Sequence, residues 1–326
     1  MTQAILVTGA TGYIGSHVCK YLKGAGYAVV GVDRVRREHT LKHMDRFIQA
    51  DYMSIECVQF LAEHAGIASV VHCAGTSLVG PSIADPSEYY INNVGKTIMF
   101  LDVLRTLPNR PSVVFSSSAA VYGAPNVDLI YENQPVAPIS PYGQSKAMIE
   151  QVLTDYCRAY GMTAVSLRYF NACGADTQGA ELGQEAQATH IIARLLESVQ
   201  QGWKFTLNGT DYNTPDGTCV RDYVHVDDLA RAHMMAIQYC MSFGDAHDGT
   251  HYTVNLGSGQ GYSNQEIITA VQEFVGPVEV VAGPRRSGDP DRLVAGTVRA
   301  RTMLGWSPEH SDLKTIVKSA WAWYND

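Results

Sequence analysis

The chain has 326 residues, 46% of them hydrophobic and 17% charged, and carries a formal net charge of −8 at pH 7. That length and apolar share fill at least one large core and predict two domains, while the acidic balance argues against nucleic acid or an anionic membrane as partner, since both call for a basic surface. No window approaches about 18 consecutive apolar residues and no charged leader precedes the first apolar run, so a cytoplasmic protein without membrane association is expected.

The first run, AILVT at 4–8, reads as a strand and leads straight into a G-x-x-G-x-x-G turn formed by Gly9, Gly12 and Gly15. Each glycine inside an element costs about 0.5 to 1 kcal/mol relative to alanine, so three together imply something that approaches the backbone closely. Between a strand and a helix, backbone N–H groups and the positive end of the helix dipole face a phosphate, and the turn suits the pyrophosphate of a dinucleotide. The helix follows as YIGSHVCKYLKGAGY, with Ile14, Val18, Tyr21, Leu22 and Ala25 at helical spacing and Gly26 at its end. AVVGV at 28–32 is the second strand. Asp33 closes it, eighteen residues after Gly15, placed to accept hydrogen bonds from ribose hydroxyls and to repel a 2′-phosphate, which favours NAD over NADP. Arg34, Arg36 and Arg37 keep the alternative open, since arginines there could meet such a phosphate.

SVVH at 69–72, SVVFSS at 112–117 and TAVSLR at 163–168 continue the alternation of strand and helix, which predicts a parallel sheet covered by helices on both faces. FSSSAAVYG places Ser116, Ser117 and Ser118 at a strand end, the edge where such sheets bind ligands. SPYGQSK then opens a helix with Tyr142 and Lys146 four residues apart on one face. A phenol with a pKa near 10 is a poor base at neutral pH. A neighbouring ammonium favours the phenolate, and a shift of about three units asks for roughly 4 kcal/mol. Past Asn171 the pattern loosens, with helices expected near 188–201, 227–241, 264–274 and 311–324, the third opened by a Ser263/Glu266 capping box. YTVNL at 252–256 is able to rejoin the first sheet, so the domains are expected to interleave: 1–170 plus about 219–257, and about 171–218 plus 258–326. The seven scattered cysteines contain no C-x-x-C pair, which predicts reduced thiols and neither a disulfide framework nor a metal site.

Taken together, the chain resembles the extended short-chain dehydrogenase/reductases, and within them the branch that inverts C4 of UDP-sugars. The resemblance covers nearly the whole length. It rests on TGATGYIGSH, HCAG at 72–75, EYYINNV at 88–94, FSSSAAVYG, SPYGQSK, LRYFNACGA at 167–175, THII at 189–192, DGTCVRDYVHVDDLA at 216–230 and RRSGDP at 285–290. The fold it implies is α/β, a Rossmann-type doubly wound parallel sheet with a smaller α/β substrate-binding domain. By the same resemblance Ser118, Tyr142 and Lys146 form the catalytic set. The implied NAD site comprises Gly9, Gly12, Tyr13, Ile14 and Gly15 of the turn, then Asp33, Asp51, Tyr52, Cys73, Ala74, Gly75, Asn93, Ser116 and Tyr169, together with Tyr142 and Lys146. UDP-sugar contacts are carried over to Ser118, Tyr142, Asn171, His190, Arg221, Arg286, Asp289 and Leu293. The arginines make physical sense, because a diphosphate on an acidic protein needs local cations and a guanidinium binds it bidentately.

The implied reaction interconverts UDP-galactose and UDP-glucose through a transient 4-keto sugar. Tyr142 takes the 4-hydroxyl proton with Ser118 bridging, hydride passes from C4 to NAD, the sugar swings over, and hydride returns to its other face. No net oxidation occurs, so NAD stays bound. Dehydratases and decarboxylases of the family place acidic residues just after the catalytic serine or threonine, where this chain has Ala119 and Ala120. Other UDP-sugars remain alternative substrates, and an inactive NAD-binding scaffold remains an alternative role that the complete Ser118/Tyr142/Lys146 set opposes. Relatives pair as homodimers through helices near 86–105 and 142–159. This chain departs from the family pattern at Ser77, where a lysine is common, at Asn208, where an aromatic is common, and at Gly296, where an aspartate is common.

Overall fold

The computed structural model describes residues 3–64, 66–179, 181–183, 190–243, 248–285 and 289–325. The chain opens with β1 (Ala4–Thr8), α1 (Tyr13–Gly24), β2 (Ala28–Asp33), a short α2 (Glu38–Leu41), β3 (Arg46–Gln49), α3 (Ile55–Glu63) and β4 (Ile67–His72). Two short helices, α4 (Val79–Ala84) and α5 (Pro86–Tyr89), run through a π-helical turn, Tyr90–Gly95, into α6 (Lys96–Thr106). Next come β5 (Ser112–Ser118), a 3-10 turn at Ala119–Tyr122, α7 (Pro141–Tyr160), β6 (Ala164–Tyr169) and β7 (Asn171–Cys173). The second half holds α8 (Ile191–Gln201), β8 (Phe205–Asn208), β9 (Val220–His225), α9 (Val226–Met241) and β10 (His251–Leu256). It ends with β11 (Gly261–Ser263), α10 (Asn264–Phe274), β12 (Val280–Gly283), β13 (Arg292–Leu293), α11 (Val298–Leu304) and α12 (Leu313–Asn325).

Seven strands form one sheet in the order β10-β6-β5-β4-β1-β2-β3, and every pairing in it is parallel. Strands covered on both faces read as continuous apolar runs, and β1 shows why. Successive side chains point to opposite faces, so Ile5 and Val7 join the core beneath α1 and α9 while Leu6 joins the core beneath α3, α6 and α7. The chain leaves β1 toward β2 and leaves β4 toward β5, in opposite directions along the sheet. That reversal makes a crevice at the carboxyl ends of β1 and β4, the place where a doubly wound sheet takes its ligand.

As expected, β10 returns to this sheet beside β6. Residues 219–225, expected with the first domain, behave differently: β9 pairs with β7, β11 and β13 in a separate small sheet, and the chain crosses back only at α9. A third core joins α8, α10 and α12 through Ile192, Leu196, Ile267, Val271, Ile316 and Val317. The capping box is present, Ser263 accepting from the Glu266 N–H and the Glu266 carboxylate accepting from the Ser263 N–H. β3 went unread because it is a short edge strand whose outer residues Arg46 and Gln49 are exposed, leaving too little alternation to register. Among the described residues no helix is long and apolar enough to cross a membrane.

Candidate active site

One cleft of about 1830 Å³ runs from the glycine turn along the carboxyl edge of the sheet to the small sheet. At the turn, Gly9 has φ +68°, and a Cβ there would lie 2.8 Å from the Ala74 nitrogen. A Cβ at Gly15 would lie 2.1 Å from the Gly9 carbonyl oxygen, so strand, turn and helix close on one another only with bare backbone. α1 starts at Gly12 with no side-chain cap. α6 and α8 likewise lack a side-chain cap, whereas α3, α7 and α10 are capped by Ser54, Ser140 and Ser263. Gly12, Tyr13 and Gly15 line the cleft, so the positive end of α1 faces it, an arrangement that suits an anionic ligand. Asp33 stands at the end of β2, its two oxygens oriented by the Thr11 and Val35 N–H groups, each at 3.0 Å. Asp51 accepts from the Lys96 ammonium at 2.7 Å and from the Met53 N–H at 3.0 Å. Burial would raise its pKa, but these donors outweigh it and hold the carboxyl below its usual range. Tyr13, Ile14, Tyr52, Cys73, Ala74 and Gly75 line this half of the cleft as expected.

Asn93 does not line it. Buried on the π-helical turn, its side chain accepts from the Thr76 N–H at 2.7 Å and donates to the Thr76 carbonyl at 2.9 Å and to Ser145 Oγ at 3.1 Å, so it holds the wall from behind. The next residues of that wall are strained. Leu78 has φ +86°, a region costly for a branched side chain, and both the Ser77 and Leu78 carbonyls accept from the Tyr89 hydroxyl at 2.7 Å.

The reactive groups meet where β5 ends. The Lys146 ammonium is buried, donates to the Ser116 carbonyl at 2.8 Å, and lies 5.8 Å from the centre of the Tyr142 ring. Burial pushes its pKa down to about 8, against the pull of Cys73 and Glu150. Ser118 Oγ accepts from the Ala120 N–H at 3.2 Å. α7 reaches this turn so closely that a Cβ on Gly143 would lie 2.5 Å from the Ala120 carbonyl oxygen. One turn beyond Lys146, Glu150 accepts from Arg168 Nη2 at 2.6 Å and from Ser117 Oγ at 2.6 Å, and Arg168 also donates to the Tyr122 hydroxyl at 2.7 Å. This buried brace ties α7 to β5 and β6. Sequence reading missed it because each charge alone resembles a surface residue.

Tyr169, at the end of β6, also lines the cleft. Its hydroxyl lies 2.8 Å from Ser116 Oγ and touches Nε2 of the buried His233. Toward the small sheet the cleft is lined by Asn171, His190, Arg221, Asp289 and Leu293. Asn171 donates to the Asp222 carbonyl at 2.8 Å. Burial lowers the His190 pKa to about 4. Arg221 donates to Asp289 at 2.6 Å and to the Pro290 carbonyl at 2.7 Å, and Tyr212 donates to the second Asp289 oxygen at 2.9 Å. β13 pairs with β9 in a register that sets Leu293 beside Arg221. Arg286 lies outside the described residues. Trp203 and Phe205, passed over in the sequence, line the same end of the cleft as Asn208. At Gly296 a Cβ would lie 2.3 Å from the Tyr131 ring, which leaves no room for the family's aspartate. Among the described residues no group of three or more His, Cys, Asp or Glu side chains is placed to hold a metal ion.

The profile of the NAD dependent epimerase/dehydratase family matches residues 5–257. The chain belongs to this family. A UDP-glucose 4-epimerase from Halalkalibacterium halodurans is 39% identical over 327 residues, spanning 99% of this chain and 96% of the relative. The crystal structure of a UDP-glucose 4-epimerase from Brucella ovis in complex with NAD superposes with a TM-score of 0.92 at 40% identity, covering 98% of each chain. A third, from Bifidobacterium longum in complex with NAD+ and UDP, has a TM-score of 0.88 at 34% identity, covering 99% of this chain and 98% of its own.

Proposed function

We propose that the protein inverts C4 of UDP-hexoses, interconverting UDP-galactose and UDP-glucose, with NAD retained through the cycle. The observation that carries this reading is the single cleft joining the glycine turn, the Ser118/Tyr142/Lys146 group and the Arg221/Asp289/Leu293 end. Its 1830 Å³ exceeds the roughly 300–1,000 Å³ of a pocket for one small ligand, so a dinucleotide and a nucleotide sugar fit side by side. The residues suit the dinucleotide: the α1 end and Gly9, Gly12 and Gly15 would hold its pyrophosphate, Asp33 its adenosine ribose, and Tyr169 and Lys146 would flank its reactive end. NAD bound there supplies a hydride acceptor that gives back what it takes, which opens a route through a 4-keto sugar.

Tyr142 takes the proton of the 4-hydroxyl and later returns it, with Ser118 Oγ bridging phenol and sugar. The buried ammonium of Lys146 favours the phenolate, and the Glu150–Arg168 brace keeps that ammonium in place. Arg221 anchors the diphosphate, so the sugar can turn while its nucleotide stays fixed. Ala119 and Ala120 provide no acid or base beside the intermediate, which favours return over elimination.

We assign the NAD-binding lobe to the seven-stranded sheet with its helices, and the sugar-nucleotide lobe to the small sheets with α8, α10 and α12. The seven cysteines are thiols and form no disulfide, which supports residence in the reducing cytoplasm. Ile91 (59% exposed), Met99 (57%) and Met148 (39%) on the π-helical turn, α6 and α7 support a homodimer through these helices. An Ile91→Asp, Met99→Asp variant that sediments like wild type would oppose that pairing. For the reaction, purified protein is given UDP-galactose without added cofactor and the products are followed by NMR. UDP-glucose is expected; absence of product, or net reduction of added NAD, overturns the proposal.

A further inference from the structure

Helix α9 packs behind the sheet, and His233 reaches from it to the wall of the cleft without lining it. The imidazole is fully buried. Its Nδ1 lies 2.8 Å from the Leu229 carbonyl oxygen, one turn back on the same helix. A carbonyl only accepts, so the ring proton sits on Nδ1 and Nε2 is left as a bare acceptor. Burial keeps the ring neutral, with a pKa lowered to about 4.

Nε2 meets the Tyr169 hydroxyl, which also lies 2.8 Å from Ser116 Oγ; Ser116 in turn donates to the Cys73 sulfur at 3.1 Å. Tyr169 thus has one proton and two neighbouring acceptors, and the imidazole nitrogen is the more basic of them. When the proton goes to His233, the Ser116 hydroxyl turns from the Cys73 sulfur, a weak acceptor, to the phenol oxygen, so their 2.8 Å contact keeps a proton and the phenol oxygen has one lone pair left for a donor in the cleft. Ser116 also receives the Lys146 ammonium through its carbonyl, so the same strand end joins the histidine to the reactive centre.

We propose that His233 is a positioning residue of the cofactor pocket: it takes the Tyr169 proton, pins the phenol between β5 and β6, and presents its oxygen to the bound dinucleotide as an acceptor. This rests on the NAD-binding role proposed above for the cleft. No side chain of α9 need touch the ligand for the effect to be felt.

The test is a double-mutant cycle read by NAD and NADH affinity, measured by calorimetry on protein stripped of nucleotide and confirmed as folded by circular dichroism. His233→Phe, which lacks the acceptor, is expected to weaken binding roughly tenfold, the scale of one lost buried hydrogen bond. His233→Gln, whose Oε1 can replace Nε2, is expected to recover most of that loss. In a Tyr169→Phe background the same His233→Phe exchange is expected to cost nothing further, because the hydroxyl it acts through is gone. If the Phe variant does not fold, His233→Leu takes its place in the cycle. Unchanged affinity in the folded variant overturns the proposal, as does an equal loss in both backgrounds. Failure of the wild type to bind NAD at all would instead remove the function proposed for the cleft.

Discussion

At the scale of single residues, the spacing of Tyr142 and Lys146 could be read as two side chains on one helix face, whereas the strand end offered Ser116, Ser117 and Ser118 alike and only the family resemblance singled out Ser118. Tyr142→Phe is expected to keep the fold and bound NAD while lowering turnover about a hundredfold, the scale of a lost general base, as read by a coupled epimerase assay. Lys146 adds a pH dependence of definite sign. Its pKa is near 8 in the folded protein against 10.5 for an ordinary lysine, so between those values the unfolded chain holds the extra proton. This residue's contribution to stability therefore rises with pH across that window, while the cation proposed to favour the Tyr142 phenolate is lost. Turnover is expected to fall above about pH 8 as the urea midpoint of wild type gains on that of Lys146→Met. Leu293 lines the cleft beside Arg221, at the end proposed above for the sugar nucleotide, and it is smaller than a tyrosine. UDP-GalNAc is expected to be turned over weakly by wild type and more weakly by Leu293→Tyr, with kcat/KM for UDP-galactose little changed, a steric difference of about 1 to 3 kcal/mol. Equal handling of the N-acetylated sugar by both proteins would move the gate elsewhere.

At the scale of elements, strands buried on both faces were readable as apolar runs, and α10 as a capping box followed by a periodic face. Parts held together across the sequence were not. The Glu150–Arg168 pair unites α7 and β6, and a lone Glu or Arg carries no mark of the partner it will find. The π-helical turn has no apolar period of its own; its purpose becomes visible only when Asn93 is seen clamping Thr76. Arg168→Met leaves Glu150 charged and buried without its partner, and is expected to destabilise the protein by about 3 to 5 kcal/mol in urea unfolding. Adding Glu150→Leu to that variant should restore part of the loss. A further drop on adding it would mean that the carboxylate is satisfied by Ser117 alone.

At the scale of the whole molecule, the interleaving of the chain was readable from β10, whereas the small sheet was not, because β7, β11 and β13 have two or three residues each and depend on β9 to exist. The cleft is lined from both the seven-stranded sheet and the small one. No side chain caps the N–H groups at the start of α1, and in the function proposed above the pyrophosphate of the dinucleotide would accept from them. A ligand that binds only the folded state adds about 2.7 kcal/mol at a hundredfold excess over its Kd, and protein stripped of NAD is expected to melt several degrees below the loaded form in a thermal-shift assay. Chains short of nucleotide then open more often and are cleared by proteases sooner. The standing level of this protein in a cell is therefore expected to follow the supply of a nucleotide that the proposed reaction never consumes.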